Sequence, residues 1–178
     1  IIALASMPLA FTYPLMKRYT YWPQLFLGVT FNYGLILGWT SIYSEINLIP
    51  LIFYIGAIFW TLGYDTIYGF QDIKDDEIIG IKSTSIKFKS NPLIFLYSCY
   101  SLFLLSLIVI GYLNEFNYFY FLSLGLIILQ IYFFQLKKFN SKDPMICLKI
   151  FKSNNFLGVL VLLSIFIGTL NKWTKLKH

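Results

Sequence analysis

The sequence predicts an all-α, multi-pass transmembrane helical bundle, and three observations carry that prediction. The 178 residues are 58% hydrophobic, 20% aromatic and only 12% charged, which leaves too few polar side chains to cover a soluble core. Five long apolar windows, at about 23–43, 48–66, 92–113, 117–136 and 154–171, each approach the roughly 20 residues needed to cross a bilayer. The basic residues gather in alternate loops, as membrane topology requires.

Residues 1–16 read as the end of a further helix, so five complete spans and a partial one are expected in a single membrane domain, 1–178. The opening "IIALASMPLAFTYP" has no basic segment ahead of an apolar stretch and is not that of a signal peptide. It reads as a chain that begins partway through a helix, a fragment or one product of a split gene. Lys17 and Arg18 form the first basic loop, Lys74, Lys82, Lys87 and Lys89 the second, and Lys137, Lys138, Lys142, Lys149 and Lys152 the third. The loops "SEIN" and "NEFN" carry none, leaving Lys172, Lys175 and Lys177 in the tail of the other side. Eleven of the fourteen basic residues therefore mark the cytoplasmic face.

The same distribution accounts for the net charge of +6 and removes any need for a nucleic-acid partner. Tyr19, Tyr21, Trp22, Tyr43, Trp60, Tyr64 and Trp173 sit near span ends, where interfacial belts form. Cys99 and Cys147 lack metal-ligand spacing and read as packing residues. The single histidine is the terminal His178, so any metal must be held by oxygen. Gly-rich phosphate loops, Ser/His/Asp sets and zinc spacings are absent.

One segment stands apart. "YDTIYGFQDIKDDEIIGIKSTS", Tyr64–Ser85, holds five of the eight acidic residues: Asp65, Asp72, Asp75, Asp76 and Glu77. If the second full span continues as one helix to Glu77, Asp65, Asp72 and Asp76 fall at i, i+7 and i+11 on one face, with Asp75 beside Asp72 and Gly80 as the stop. Stacked carboxylates repel, and a divalent cation relieves the repulsion. Mg²⁺ favours carboxylate oxygen and commonly bridges it to phosphate, so the expected occupant is a magnesium-bound phosphate or diphosphate. Lys82, Ser83 and Thr84 lie just downstream as donors to the same oxyanion. An ordinary solvated loop has a similar spacing. Asp65 tips the balance, because a carboxylate at the membrane end of a span is expensive and marks function.

Beyond composition, "YDTIYGFQDIKDD" followed by "IGIKSTS" resembles the second aspartate-rich motif of the UbiA family of intramembrane prenyltransferases. "YPLMKRYTYWPQLFLGVTFNYG", Tyr13 to Gly34, resembles the branch of that family that prenylates 4-hydroxybenzoate. The resemblance implies a nine-helix bundle around a central cavity, of which these spans are the end of the fourth helix and helices five to nine. It implies that Asp72 and Asp76 bind Mg²⁺, with Asp65 as a preceding catalytic acid. Polyprenyl diphosphate and 4-hydroxybenzoate are the implied substrates, membrane lipid the surrounding partner, and a bacterial inner membrane the implied location, with the acidic motif facing the cytoplasm.

The implied reaction alkylates the aromatic ring ortho to its hydroxyl with an allylic cation, while water is kept away. Lys17 and Arg18 are needed by topology, but their place in "YPLMKRYT" also suits a partner for the acceptor's carboxylate or the diphosphate, Arg18 better than Lys17 for a carboxylate. Tyr64 and Tyr68 flank Asp65 and suit a phosphate hydrogen bond or the cation site. Asn32, Gly28, Gly34 and Gly38 read as close-packing positions, and the three later spans as walls of a lipid-tail channel. The family's first, Asn-Asp-x-x-Asp motif is absent here, so a separate N-terminal segment is expected to complete the site. Another aromatic acceptor is one alternative. A cation-binding transporter or structural membrane protein is another; the position of the ionisable residues at span ends argues against a transporter.

Overall fold

A computed structural model describes residues 2–43 and 45–175. In chain order the helices are α1 (Ile2–Tyr19), α2 (Pro23–Ile42), α3 (Leu48–Gly69), α4 (Ile73–Ile79), α5 (Thr84–Lys87), α6 (Pro92–Leu113), α7 (Tyr118–Leu129) and α8 (Pro144–Lys175). α7 runs on through a π-helical stretch, Gln130–Gln135, and a 3-10 turn, Leu136–Lys138. No strand occurs among the described residues. Five segments are long and apolar enough to cross a bilayer: Pro23–Ile42, Leu48–Gly69, Pro92–Leu113, Tyr118–Lys138 and Pro144–Leu170. The chain is an all-α integral membrane protein, as its sequence predicts. The side chains of Lys172, Trp173 and Lys175, together with Lys177 and His178, lie outside the described part.

Helix starts follow from local chemistry. Pro23 and Pro92 occupy the first turns of α2 and α6, where a missing N–H costs nothing. Asn47 accepts the amide of Ile49 at 3.0 Å to open α3, and Asn117 accepts that of Tyr120 at 3.1 Å to open α7. Asp143 Oδ1 accepts the amides of Met145 and Ile146 at 3.0 and 3.2 Å. That cap starts α8 ten residues before the apolar window expected at 154. Lys149 and Lys152 are thus on a helix and not in a loop, because Cys147 and Ile150, both buried, extend its packed face.

α3 is the centre of the bundle, packing on α2, α6, α8 and the short α5. Lipid tails are as apolar as leucine, so contact quality and not water exclusion holds such helices together. At Gly56 a Cβ would collide with the Ser106 hydroxyl of α6, so only glycine permits this approach. Asn32 donates to the Ala57 carbonyl at 3.2 Å and the Thr61 hydroxyl at 2.8 Å, joining α2 to α3, and Gly28 packs tightly on Ile58. Gly34 and Gly38 instead face open space, contrary to the expectation of close packing. Both cysteines are free and buried, as packing residues would be.

The expected continuous helix to Glu77 does not form. α3 stops at Gly69, where the Ser85 hydroxyl presses against the glycine. Phe70 then turns inward against Phe139, ring centroids 5.5 Å apart, and Ile73 is buried beyond it. Burying both apolar side chains requires a bend, and α4 begins after it. Gly80, at φ 78°, ends α4 in the left-handed conformation that suits glycine.

Candidate active site

The bend divides the acidic segment between two clefts. Asp65, still on α3, opens on a cleft of about 510 Å³ framed by α2, α3 and α8, where Phe31, Trp60, Tyr64, Phe151, Lys152 and Asn155 also lie. Asp72 and Asp75 open on a second cleft of about 560 Å³, with Gln71, Lys74, Lys89 and Lys142. The three carboxylates Asp65, Asp72 and Asp76 therefore do not converge. Among the described residues no group of three acidic, cysteine or histidine side chains is placed to hold a metal ion. The i, i+7, i+11 alignment is lost with the helix that would have carried it.

Lys17 reconnects the halves. Its ammonium, at the end of α1, acts electrostatically on both Asp65 and Asp76. Partial burial pushes the Asp76 carboxyl above its ordinary pKa, Lys17 opposes that shift, and Asp72 and Asp75 add to it. Asp72 stands at the head of α4, yet its carboxylate makes no capping bond. Glu77 is engaged elsewhere, with Lys89 at 2.7 Å, the one direct ion pair among the described residues.

The strand of chain after α4 is pinned. Lys82 N donates to the Lys17 carbonyl at 2.9 Å, and its ammonium reaches the Tyr19 carbonyl at 3.4 Å and lies over the Tyr21 ring. The Thr84 amide donates to Gln24 Oε1 at 3.0 Å, and its hydroxyl meets that of Thr66 at 2.6 Å. Ser85 donates to the Thr66 carbonyl at 2.8 Å, and Ser83 caps α5. These hydroxyls fasten the loop to α2 and α3. The expectation that Ser83 and Thr84 serve an oxyanion is set aside, because both side chains are buried in that fastening.

Arg18 is exposed, and its side chain makes no hydrogen bond or ion pair with a described residue. Tyr64 and Tyr68 meet the Phe151 ring at 5.7 and 4.6 Å; Tyr64 and Phe151 line the Asp65 cleft, and Tyr68 packs on Phe151 from outside that lining. Trp60 and Tyr64 are not belt residues. Trp60 stacks on Phe103 at 5.1 Å and donates its indole N–H to Asn154 Oδ1 at 2.9 Å, while Tyr64 packs edge-on against Trp60. Asn154 also accepts from Gln135, whose Oε1 accepts the Tyr100 hydroxyl at 2.9 Å. A buried polar chain thus joins α6, the π stretch, α8 and α3 behind the Asp65 cleft. Sequence reasoning missed it, although the signal was present: "KSNN", Lys152–Asn155, interrupts an apolar helix where polar groups are expensive.

Asp65 in an aromatic-lined cleft of the bundle, and the acidic turn that carries Asp72, Asp75 and Asp76, are the candidate site of this all-α membrane protein. The family model of the UbiA prenyltransferase family matches residues 1–165, and the chain belongs to that family. It is 38% identical to the mitochondrial 4-hydroxybenzoate polyprenyltransferase of Drosophila pseudoobscura pseudoobscura, over 100% of this chain and 45% of that protein. It is 38% identical to the Homo sapiens protein of the same name, over 98% of this chain and 47% of that one. The 4-hydroxybenzoate octaprenyltransferase of Psychromonas ingrahamii is 36% identical over 95% of this chain and 58% of its own length. The chain spans about half the length of the curated relatives it matches. No solved structure matches it.

Proposed function

We propose that the protein carrying this chain transfers a polyprenyl group from polyprenyl diphosphate to 4-hydroxybenzoate, ortho to the ring hydroxyl, as a step of ubiquinone synthesis. The observation that supports this most directly is similarity along nearly the whole chain to proteins named for that activity in animals and a bacterium. The site is read as facing the cytoplasm of a bacterial inner membrane, because the basic residues gather at its end of the bundle.

The donor set of the acidic turn suits Mg²⁺. Asp72 is uncapped and accessible, Asp76 is only partly buried, and Gln71 Oε1 beside them is buried without a hydrogen-bond partner. Asp72 and Asp76 would hold the ion together with water and diphosphate oxygens. Bound there, the ion would supply neutralisation of the diphosphate as it leaves. Lys17 lies within electrostatic reach of both aspartate groups and adds positive charge for the same oxygens. Tyr64 and Phe151 line the Asp65 cleft and Tyr68 packs on Phe151, an aromatic cluster whose quadrupoles suit stabilisation of a developing allylic cation. Arg18 has its guanidinium free for the acceptor's carboxylate. Lys82 acts by position, holding the loop to α1.

The test is Mg²⁺-dependent transfer of labelled polyprenyl diphosphate to 4-hydroxybenzoate by the full-length protein in membranes. Asp72→Ala and Asp76→Ala are each expected to lower transfer by about a hundredfold or more. An intact, inserted protein that transfers nothing to this acceptor would overturn the assignment.

A further inference from the structure

We propose that the seam between the end of α7 and the start of α8 binds one anionic phospholipid of the surrounding membrane. A groove of about 450 Å³ runs there, lined by Gln130, Phe134 and Lys138 from the first helix and Ile146, Lys149 and Ser153 from the second. It is separate from the Asp65 cleft, to which α8 presents Lys152 and Asn155. The inference is independent of the transferase reading.

Three observations point to an amphiphile with a negative head. Lys138 and Lys149 face the groove, and among the described residues neither has a carboxylate within ion-pair distance. Asp143, the acid nearest in sequence, is committed to the first amides of α8. The Lys138 ammonium lies 4.8 Å from the Phe134 ring centre, so charge sits directly above an apolar floor. Further along the helices, Gln130 is 9% exposed and its amide makes no hydrogen bond to a described residue. An unpaired amide at membrane depth is costly, and this one opens the π-helical stretch, a distortion that often marks functional positions.

A phosphodiester would pair with the two lysines that line the groove, as in basic pockets between membrane helices. An ester carbonyl beneath it can accept from the Gln130 amide, and the acyl chain can cover Phe134 and Ile146. Free phosphate would satisfy the lysines but not the Gln130 amide, which opens on the groove within the span, or the apolar floor, so the site is assigned to a lipid. The lipid would also brace the α7–α8 contact where regular α-helical bonding is interrupted.

Native mass spectrometry of the full-length protein, titrated with phosphatidylglycerol or phosphatidylcholine in micelles, tests this. One phosphatidylglycerol should be retained in preference to phosphatidylcholine. Lys138→Gln and Lys149→Gln should each lower that retention about fivefold. Lys137→Gln, on the same turn but over Phe133 and outside the groove, should leave it unchanged. Millimolar inorganic phosphate should not displace the lipid. Equal retention of both lipids, equal losses for Lys137→Gln and Lys138→Gln, or displacement by phosphate would each overturn the proposal, the second by reducing it to general surface charge.

Discussion

Asp65 and Asp72 are seven residues apart, yet their surroundings differ in kind. Asp65 is set by helix–helix packing: α2, α3 and α8 frame its cleft, and a buried hydrogen-bond chain through Trp60, Asn154, Gln135 and Tyr100 fixes the wall behind it. Asp72 is set by a turn, on a seven-residue helix whose acidic side chains are largely accessible. The contrast teaches that one acidic motif can combine a rigid half inside the membrane with an adjustable half at its surface. In the proposed reaction, the rigid half suits the organic substrates and the adjustable half an ion that keeps part of its water shell.

That division can be broken most sharply by exchanging carboxylate for amide on each side. Asp72→Asn should lower transfer about a hundredfold and raise the Mg²⁺ concentration needed for half-maximal rate. Asp65→Asn should lower the rate comparably with little change in that concentration. Identical Mg²⁺ profiles would remove the distinction.

A smaller effect is expected from the wall of the rigid half. Asn154→Leu leaves the Trp60 indole N–H and the Gln135 amide without their shared acceptor, at a cost of about 1–3 kcal/mol. Thermal unfolding in detergent should show the loss, accompanied by a shift in tryptophan emission. An unchanged midpoint would mean that the chain is not a structural element.

In the adjustable half, the sign of a pH effect is the diagnostic. Because the Asp76 pKa is raised on folding, its protonated form is the one the folded state favours. Stability from this group is present at acid pH and lost as pH rises through the raised pKa. Asp76→Asn should flatten that dependence on the alkaline side, read as the difference between unfolding midpoints measured at acid and neutral pH. The smallest effect belongs to Glu77→Gln. Its exposed pair with Lys89 should contribute no more than about 0.5 kcal/mol, so the midpoint should scarcely move.

The spans were legible in the sequence because apolar runs and their proline and asparagine starts are local signals. α2 and α6 begin at the prolines that bound the expected windows, and the fold class follows directly. Three features were not legible, each because a distant side chain decides it. The bend after Gly69 depends on Ser85 and on Phe139 receiving Phe70. The π stretch brings Gln135 to partners on α6 and α8. The inward turn of Trp60 depends on Asn154, ninety-four positions along the chain. Of the site residues, Tyr64 shares the cleft of its neighbour Asp65, while the alignment of Asp65 with Asp72 and Asp76 assumed a helix that tertiary packing interrupts.

The fastening of the loop after α4 has a mechanical consequence. At one end α4 is moored by Phe70 and Ile73 in the core, and at the other by the main-chain bond from Lys82 to Lys17. A short rod held at both ends can roll about its long axis but cannot swing away. Asp72, Asp75 and Asp76 would therefore travel as a unit, like keys on one bar, and a ligand that turned the bar would tug on α1 through the same mooring.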